Sequence, residues 1–151
     1  MNILVSACLL GVNCRYDGQG QYHPSLQAHF NTHTFIPVCP EQLGGLPTPR
    51  VPAERQGNLI MTKDGQDVTA AFQKGAEEAL RLAKLYHCSL AILKERSPSC
   101  GAQQIYDGSF EGHLISGTGV TAELLVSHGI KVIGESEIDA YFNTLDTSTS
   151  C

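Results

Sequence analysis

The stretch "DVTAAFQKGAEEALRLAKLYHCSLAIL", residues 67–93, changes its period part-way along, and that change decides the fold. Its apolar residues Ala71, Phe72, Ala76, Ala79, Leu80 and Ala83 recur at three-and-four spacing, which is one face of an α-helix. Asp67 or Thr69 offers the side-chain oxygen that a helix start requires. "SLAIL", residues 89–93, then runs apolar on both of its faces, as a strand does when it lies in a parallel sheet between helices.

The same alternation continues outward. Asn2 to Val5 reads as a first buried strand and "TFIPV" (34–38) as a second, with Pro37 placing it at a sheet edge or a strand end. "KVIGE" (131–135) reads as the fourth. Residues 24–30 read as a short helix with Pro24 in its first turn. "GVTAELLVSHG" reads as a helix ending at Gly129, and "SEIDAYFNTL" as a last one opened by Ser136. "LIMTKDGQDV" (59–68) and "AQQIYDGSFEGHLI" (102–115) each hold a polar glycine turn between extended residues and read as hairpins. "CPEQLGGLPTPRVPAE" (39–54) reads as a long loop. The expectation is α/β: a single domain over residues 1–145 with a mainly parallel, Rossmann-like sheet flanked by helices plus short hairpins. Residues 146–151 are expected to form a polar C-terminal tail in which Cys151 has no role.

Composition narrows the function classes. The chain has 151 residues, ten Lys and Arg, fifteen Asp and Glu and a formal net charge of -5. No basic run exists for a phosphate backbone to bind, so nucleic acid is not an expected partner. No apolar run approaches a membrane span, and the start "MNILVSACLLG" lacks the basic region of a secretory leader. A cytoplasmic protein with reduced thiols is the expectation, so the six cysteines are not read as a disulfide framework.

Their positions carry the chemistry. Cys8 follows the first strand, Cys39 the second, and Cys100 the third by way of "KERSPSCG". Ligands of open parallel sheets bind outside the carboxyl ends of the strands, so three thiols from distant segments share one edge. Cys14 lies in the same loop as Cys8, whereas Cys88 stands at the other end of its strand and reads as core. Converging thiolates suit zinc or an iron–sulfur cluster. No C-x-x-C pair is present, which weakens a zinc ribbon, but spacing alone does not choose.

Several motifs together do more. "SACLLG" with "CRYDG", "PVCPEQLGGLPTPR", "DVT" before a helix, "LKERSPSCG" with "IYDGSFEG", and "GTGVTAELL" occur in this order over residues 2–135. In these the chain resembles the thiouracil desulfidase family, formerly a bacterial family of unknown function. The resemblance implies a [4Fe-4S] cluster with three protein ligands and one open iron, the ligands being Cys8, Cys39 and Cys100. It implies catalytic roles for Glu41 of "CPE" and Ser97 of "RSPSC". The implied activity is the non-redox conversion of a thiolated pyrimidine, such as 2-thiouracil, to its oxo form with release of sulfide. Family members often carry another residue at the position of Cys14, which implies that it is not a ligand.

Other readings stand beside these. Glu41 is also a loop carboxylate within reach of Arg50 or Arg15, and serine at position 97 is also a good cap. Asp17 and Asp107 read as turn formers in "YDG", and Tyr16 and Tyr106 as ring-stacking or packing residues. The six histidines show no ligand spacing. The competing functions are a cluster-free enzyme with Cys8 or Cys100 as nucleophile or persulfide carrier, and a non-catalytic module whose metal site Cys14 closes.

Overall fold

The computed structural model describes residues 1–149; of residues 146–149 only the backbone is described. Four parallel strands form the central sheet: β1 (Asn2–Ser6), β2 (Thr34–Val38), β5 (Leu90–Leu93) and β8 (Lys131–Gly134), in the order β2-β1-β5-β8. Two antiparallel ribbons, β3 (Ala53–Gln56) with β4 (Leu59–Thr62) and β6 (Gln104–Tyr106) with β7 (Leu114–Ser116), stand outside it. The helices are α1 (Pro40–Leu43), α2 (Thr69–Leu85), α3 (Val120–Ser127) and α4 (Ile138–Thr149).

Alternation along the strands explains the layers. Ile3, Val5, Leu90, Ile92 and Ile133 point to one face and pack against Leu26, Ile138 and Phe142. Leu4, Ala91 and Leu93 point to the other, where α2 and α3 bury Ala79, Leu80, Ala83, Ala122 and Leu125. Each fully buried Leu, Ile or Phe contributes about 1.5–3 kcal/mol. α3 ends as its glycine requires: Gly129, at φ 80°, and Ile130 donate back to the carbonyls of Val126 and Leu125. Cys88 belongs to the α2–α3 core, as expected of it.

Pro37 does lie on an edge strand, opposite Val5 of β1. Residues 24–29 form a 3-10 rather than an α-helix. The hairpin expected at 59–68 forms around the bridge Met61–Asp67, the N–H of Thr62 donating to the Gln66 carbonyl at 2.8 Å and that of Val68 to the Ile60 carbonyl at 2.9 Å. The long loop expected at 39–54 needs correction: its last residues, Ala53 and Glu54, begin β3, which pairs with β4 across the tight turn Gly57-Asn58. Within the same expected loop, "PEQL" forms α1, with Pro at its first position. At the other end α4 continues to Thr149, past the expected start of the tail at 146, and Cys151 lies outside the described residues. No helix among the described residues is long and apolar enough to cross a membrane.

The order of strands matters for the site. From β1 the chain moves to one neighbour, β2, and returns on the other side as β5. The connection reverses at β1, and a crevice opens there beyond the carboxyl ends. α1 closes one wall of it by approaching α2 at backbone distance. A Cβ on Gly75 would collide with the carbonyl oxygen of Pro40, and one on Gly44 with that of Ala71.

This contact can be tested against helix propensity. Alanine in place of a mid-helix glycine ordinarily stabilises by about 1 kcal/mol. Gly75→Ala is expected instead to destabilise the protein by about 1–3 kcal/mol, as overpacking does. Chemical denaturation of the variant measures the sign, and a higher midpoint would refute the contact.

Candidate functional site

The crevice is a cavity of about 550 Å3. Its wall holds Cys8, Cys14, Cys39, Cys100, Glu41 and Ser97 together. Cys8, Cys39 and Cys100 each arrive in the connection that follows a strand end. Cys8 lies on the 3-10 turn Ala7–Leu10 after β1. Cys39 is the residue from which α1 starts, its carbonyl accepting the N–H of Leu43 at 2.9 Å. Cys100 ends a turn after β5 that rests on α3: the carbonyl of Ser99 accepts the N–H groups of Thr121 and Ala122 at 2.8 and 3.2 Å. The hydroxyls of Ser99 and Thr121 meet at 2.8 Å, both buried.

The Ser97 hydroxyl accepts the N–H groups of Ser99 at 3.1 Å and of Cys100 at 3.0 Å. It therefore caps this turn. With both lone pairs used by amides, the hydroxyl hydrogen is what remains for the cavity, which makes Ser97 a donor there.

Glu41 is paired, as its loop position allowed. Arg50 Nε donates to Glu41 Oε1 at 3.2 Å, with side chains only 6 % and 18 % exposed. The same guanidinium donates to the Pro47 carbonyl at 3.2 Å, the Thr48 hydroxyl at 3.0 Å and the Cys14 carbonyl at 3.0 Å. One arginine thus ties α1, the proline loop and the Cys14 loop together. Burial raises the Glu41 carboxyl above the usual range, against the opposing pull of Arg50.

The thiols of Cys14, Cys39 and Cys100 are shifted the other way from reactive ones. Burial pushes the Cys100 thiol up to about 12, with a hydrogen bond from Ser6 opposing. Cys14 contacts both Cys39 and Cys8; its hydrogen bond with Cys39 lowers it, but that with Cys8 and burial carry it to about 11. Cys39 is raised furthest, by Cys14 and then by burial, and its Sγ stands 3.6 Å from the Cys14 carbonyl. Such groups ionise when a strong local positive charge, as of a metal centre, compensates them.

The donor set bears on what that centre could be. Among the described residues no group of three or more His, Cys, Asp and Glu is disposed to hold a single metal ion. A lone zinc needs its sulfur ligands about 2.3 Å from one point. Several thiols on the wall of one cavity are the donor set that iron–sulfur clusters take.

Lys94 and Phe110 escape the sequence. Arg50, expected within reach of Glu41, is in addition buried, against the base rate for arginine. Lys94 lines the cavity, its Nζ 2.7 Å from Glu135 Oε2, and Glu135 Oε1 also accepts the Glu95 N–H at 2.6 Å. Lys94 and Glu135 directly follow two neighbouring strands, and that adjacency could have found them. Phe110, which also lines the cavity, reads as part of a hairpin turn. Asp17 and Asp107 are turn formers, accepting N–H groups two residues on, while Arg15 pairs loosely with Asp17 at 3.9 Å.

Comparison with known proteins agrees with this geometry. The chain is 43 % identical over 147 residues to the uncharacterized protein YbbK of Bacillus subtilis strain 168, covering 91 % of this chain and 97 % of that one. The solved structure of the [4Fe-4S]-dependent thiouracil desulfidase TudS superposes with a TM-score of 0.90 at 47 % identity. That match covers 97 % of this chain and 98 % of the other. The 2-thiouracil desulfurase family model matches residues 3–137, nearly every element that builds the cavity, and the chain belongs to that family.

Proposed function

We propose that the chain is a [4Fe-4S]-dependent, non-redox desulfidase. It takes a thiolated pyrimidine, such as 2-thiouracil, to the oxo form and releases sulfide. Cys8, Cys39 and Cys100 are its cluster ligands. The observation that carries this is the delivery of one thiol from each of three strand ends to the wall of one cavity that also holds Glu41 and Ser97.

When bound, a cluster with three protein thiolates offers an open iron, a Lewis acid that polarises a thiocarbonyl through its sulfur. The protein's residues supply the rest. Glu41, on the first turn of α1 and held by Arg50, takes a proton from the water that attacks the ring carbon. Ser97 donates its hydroxyl hydrogen to the substrate or relays a proton. Water provides the oxygen, the carbon–sulfur bond breaks, and sulfide leaves with the protons. No electron is transferred, so no reductase is needed.

The cluster-free reading requires a thiol of lowered pKa, and Cys100, one of its two candidate nucleophiles, is instead raised by burial. One observation favours a second reading, a site closed by a fourth thiolate: Cys14 touches both Cys8 and Cys39. A closed cluster leaves no place for a substrate sulfur.

Anaerobic reconstitution with iron and sulfide is expected to give brown protein that releases sulfide from thiolated bases; colourless, iron-free protein would refute the reading. Replacing Cys8, Cys39 or Cys100 by Ala is expected to lose bound iron and activity together. Cys14→Ala is expected to keep the cluster spectrum and most of the activity; loss of the cluster would favour the closed site.

Glu41→Gln is expected to retain iron and colour while kcat falls about 100-fold or more, the usual worth of a general base. Ser97→Ala is expected to lower kcat with iron content unchanged. Full turnover in either variant, measured as sulfide release, would remove that residue from the mechanism.

A further inference from the structure

Three non-glycine residues among those described have positive φ: His87, Arg96 and Phe110. His87 follows α2, where chains commonly turn, but Arg96 and Phe110 both line the cavity. For an aromatic residue a φ of 59° is a true outlier, adopted only where the surroundings enforce it.

The surroundings of Phe110 do enforce it. Glu54 of β3 accepts two N–H groups on one carboxylate oxygen, from Gly108 at 3.0 Å and from Phe110 itself at 3.1 Å. Gln56 Nε2 donates to the Gly108 carbonyl at 2.8 Å. Asp107 folds the loop from within, accepting the N–H of Ser109 at 2.9 Å and its hydroxyl at 2.6 Å. The ribbon that supplies Glu54 is itself fixed: Arg55 donates to the Thr118 carbonyl and to Glu123, each at 2.8 Å. Two hairpins are thus stapled together to hold one strained, half-buried phenylalanine at a cavity that Tyr16 and Tyr106 also line. Strain maintained by so many bonds is the kind that persists where a ligand is clamped.

We propose that Phe110 determines substrate shape, forming with Tyr106 and Tyr16 the aromatic wall on which the flat ring of the thiolated base lies. The inference rests on the desulfidase reading and adds the residue that sets its preference for planar thio-heterocycles over acyclic thiocarbonyls. Phe110 makes no bond to the reacting atoms. Glu54 acts through it, as a positioning residue.

The reconstituted full-length enzyme tests this with Phe110→Gly. Glycine takes the same φ without strain, so loss of the ring and loss of the fold separate. The expected result is a KM for 2-thiouracil raised about tenfold, as loss of an aromatic stacking partner costs, with kcat nearly unchanged. KM for thiourea, an acyclic thiocarbonyl, should not move. Iron content should hold, and the thermal midpoint should stay or rise. Phe110→Tyr is expected to restore KM. An unchanged KM for 2-thiouracil in the glycine variant would overturn the proposal, as would a lowered midpoint with loss of iron, since the ring would then be packing alone. Uracil binding by calorimetry needs no turnover. If the wild type releases no sulfide, the desulfidase reading fails, and the ring's role is still decided by whether Phe110→Gly weakens uracil binding.

Discussion

A sheet that is apolar on both faces leaves no room for polar chemistry except where its strands end. In this chain β1, with Ile3, Leu4 and Val5 fully buried, is the middle of that constraint. Its last residue, Ser6, is the first polar side chain the strand carries after Asn2, and it is already part of the cavity wall. Its hydroxyl accepts the N–H of Lys94 at 2.8 Å, so the end of β1 is joined to the end of β5 by a side chain rather than by the ladder. From there every element of the site follows within a few residues of a strand terminus.

Such a site must compensate its buried charges locally. Lys94 and Glu135 do so across the ends of β5 and β8, and Arg50 and Glu41 across the mouth of α1. Pairs of this kind add little net stability, because desolvation consumes most of the attraction, but removing one partner is costly. Their value here is positional. Arg50 reaches Glu41 and the Cys14 carbonyl with different nitrogens, so the carboxylate and the Cys14 loop cannot move independently.

The sequence made the frame legible because the frame is local physics. Three-and-four spacing in α2, two-faced apolar runs in β1 and β5, and Gly129 after α3 each carry their reason within a dozen residues. The strand-end cysteines were legible for the same cause: once the strands are placed, topology assigns Cys8, Cys39 and Cys100 to one edge. What stayed hidden depends on distant partners. α1 is four residues long and too short to stand alone; it exists because Gly75, more than thirty positions away, leaves space for the Pro40 carbonyl. β3 carries no alternation that would mark it, and pairs because the Gly57-Asn58 turn returns β4 onto it. The Glu41–Arg50 pair is legible from their nearness in the loop, but its burial is not, because the elements that cover it come from elsewhere in the chain.

Charge adds a last constraint on what the cavity can hold. The chain is acidic overall, with ten Lys and Arg against fifteen Asp and Glu. The cavity wall is richer in cations than the chain as a whole, with Arg15, Arg50, Lys63, Lys94 and Arg96 against Glu41, Glu54 and Glu95, although Arg15, Arg50 and Lys94 are paired with Asp17, Glu41 and Glu135. Half of the chain's cationic side chains therefore face one crevice. Fields of one sign concentrated in a low-dielectric cleft favour occupants of the opposite sign. A group held by several thiolates is anionic, and so is the sulfide that leaves in the proposed reaction. Even with three of them paired, the cations gathered on this wall favour an anionic occupant there. The raised thiols fit the same picture: without such a group they keep their protons, and the cavity does not carry an uncompensated cluster of negative charge.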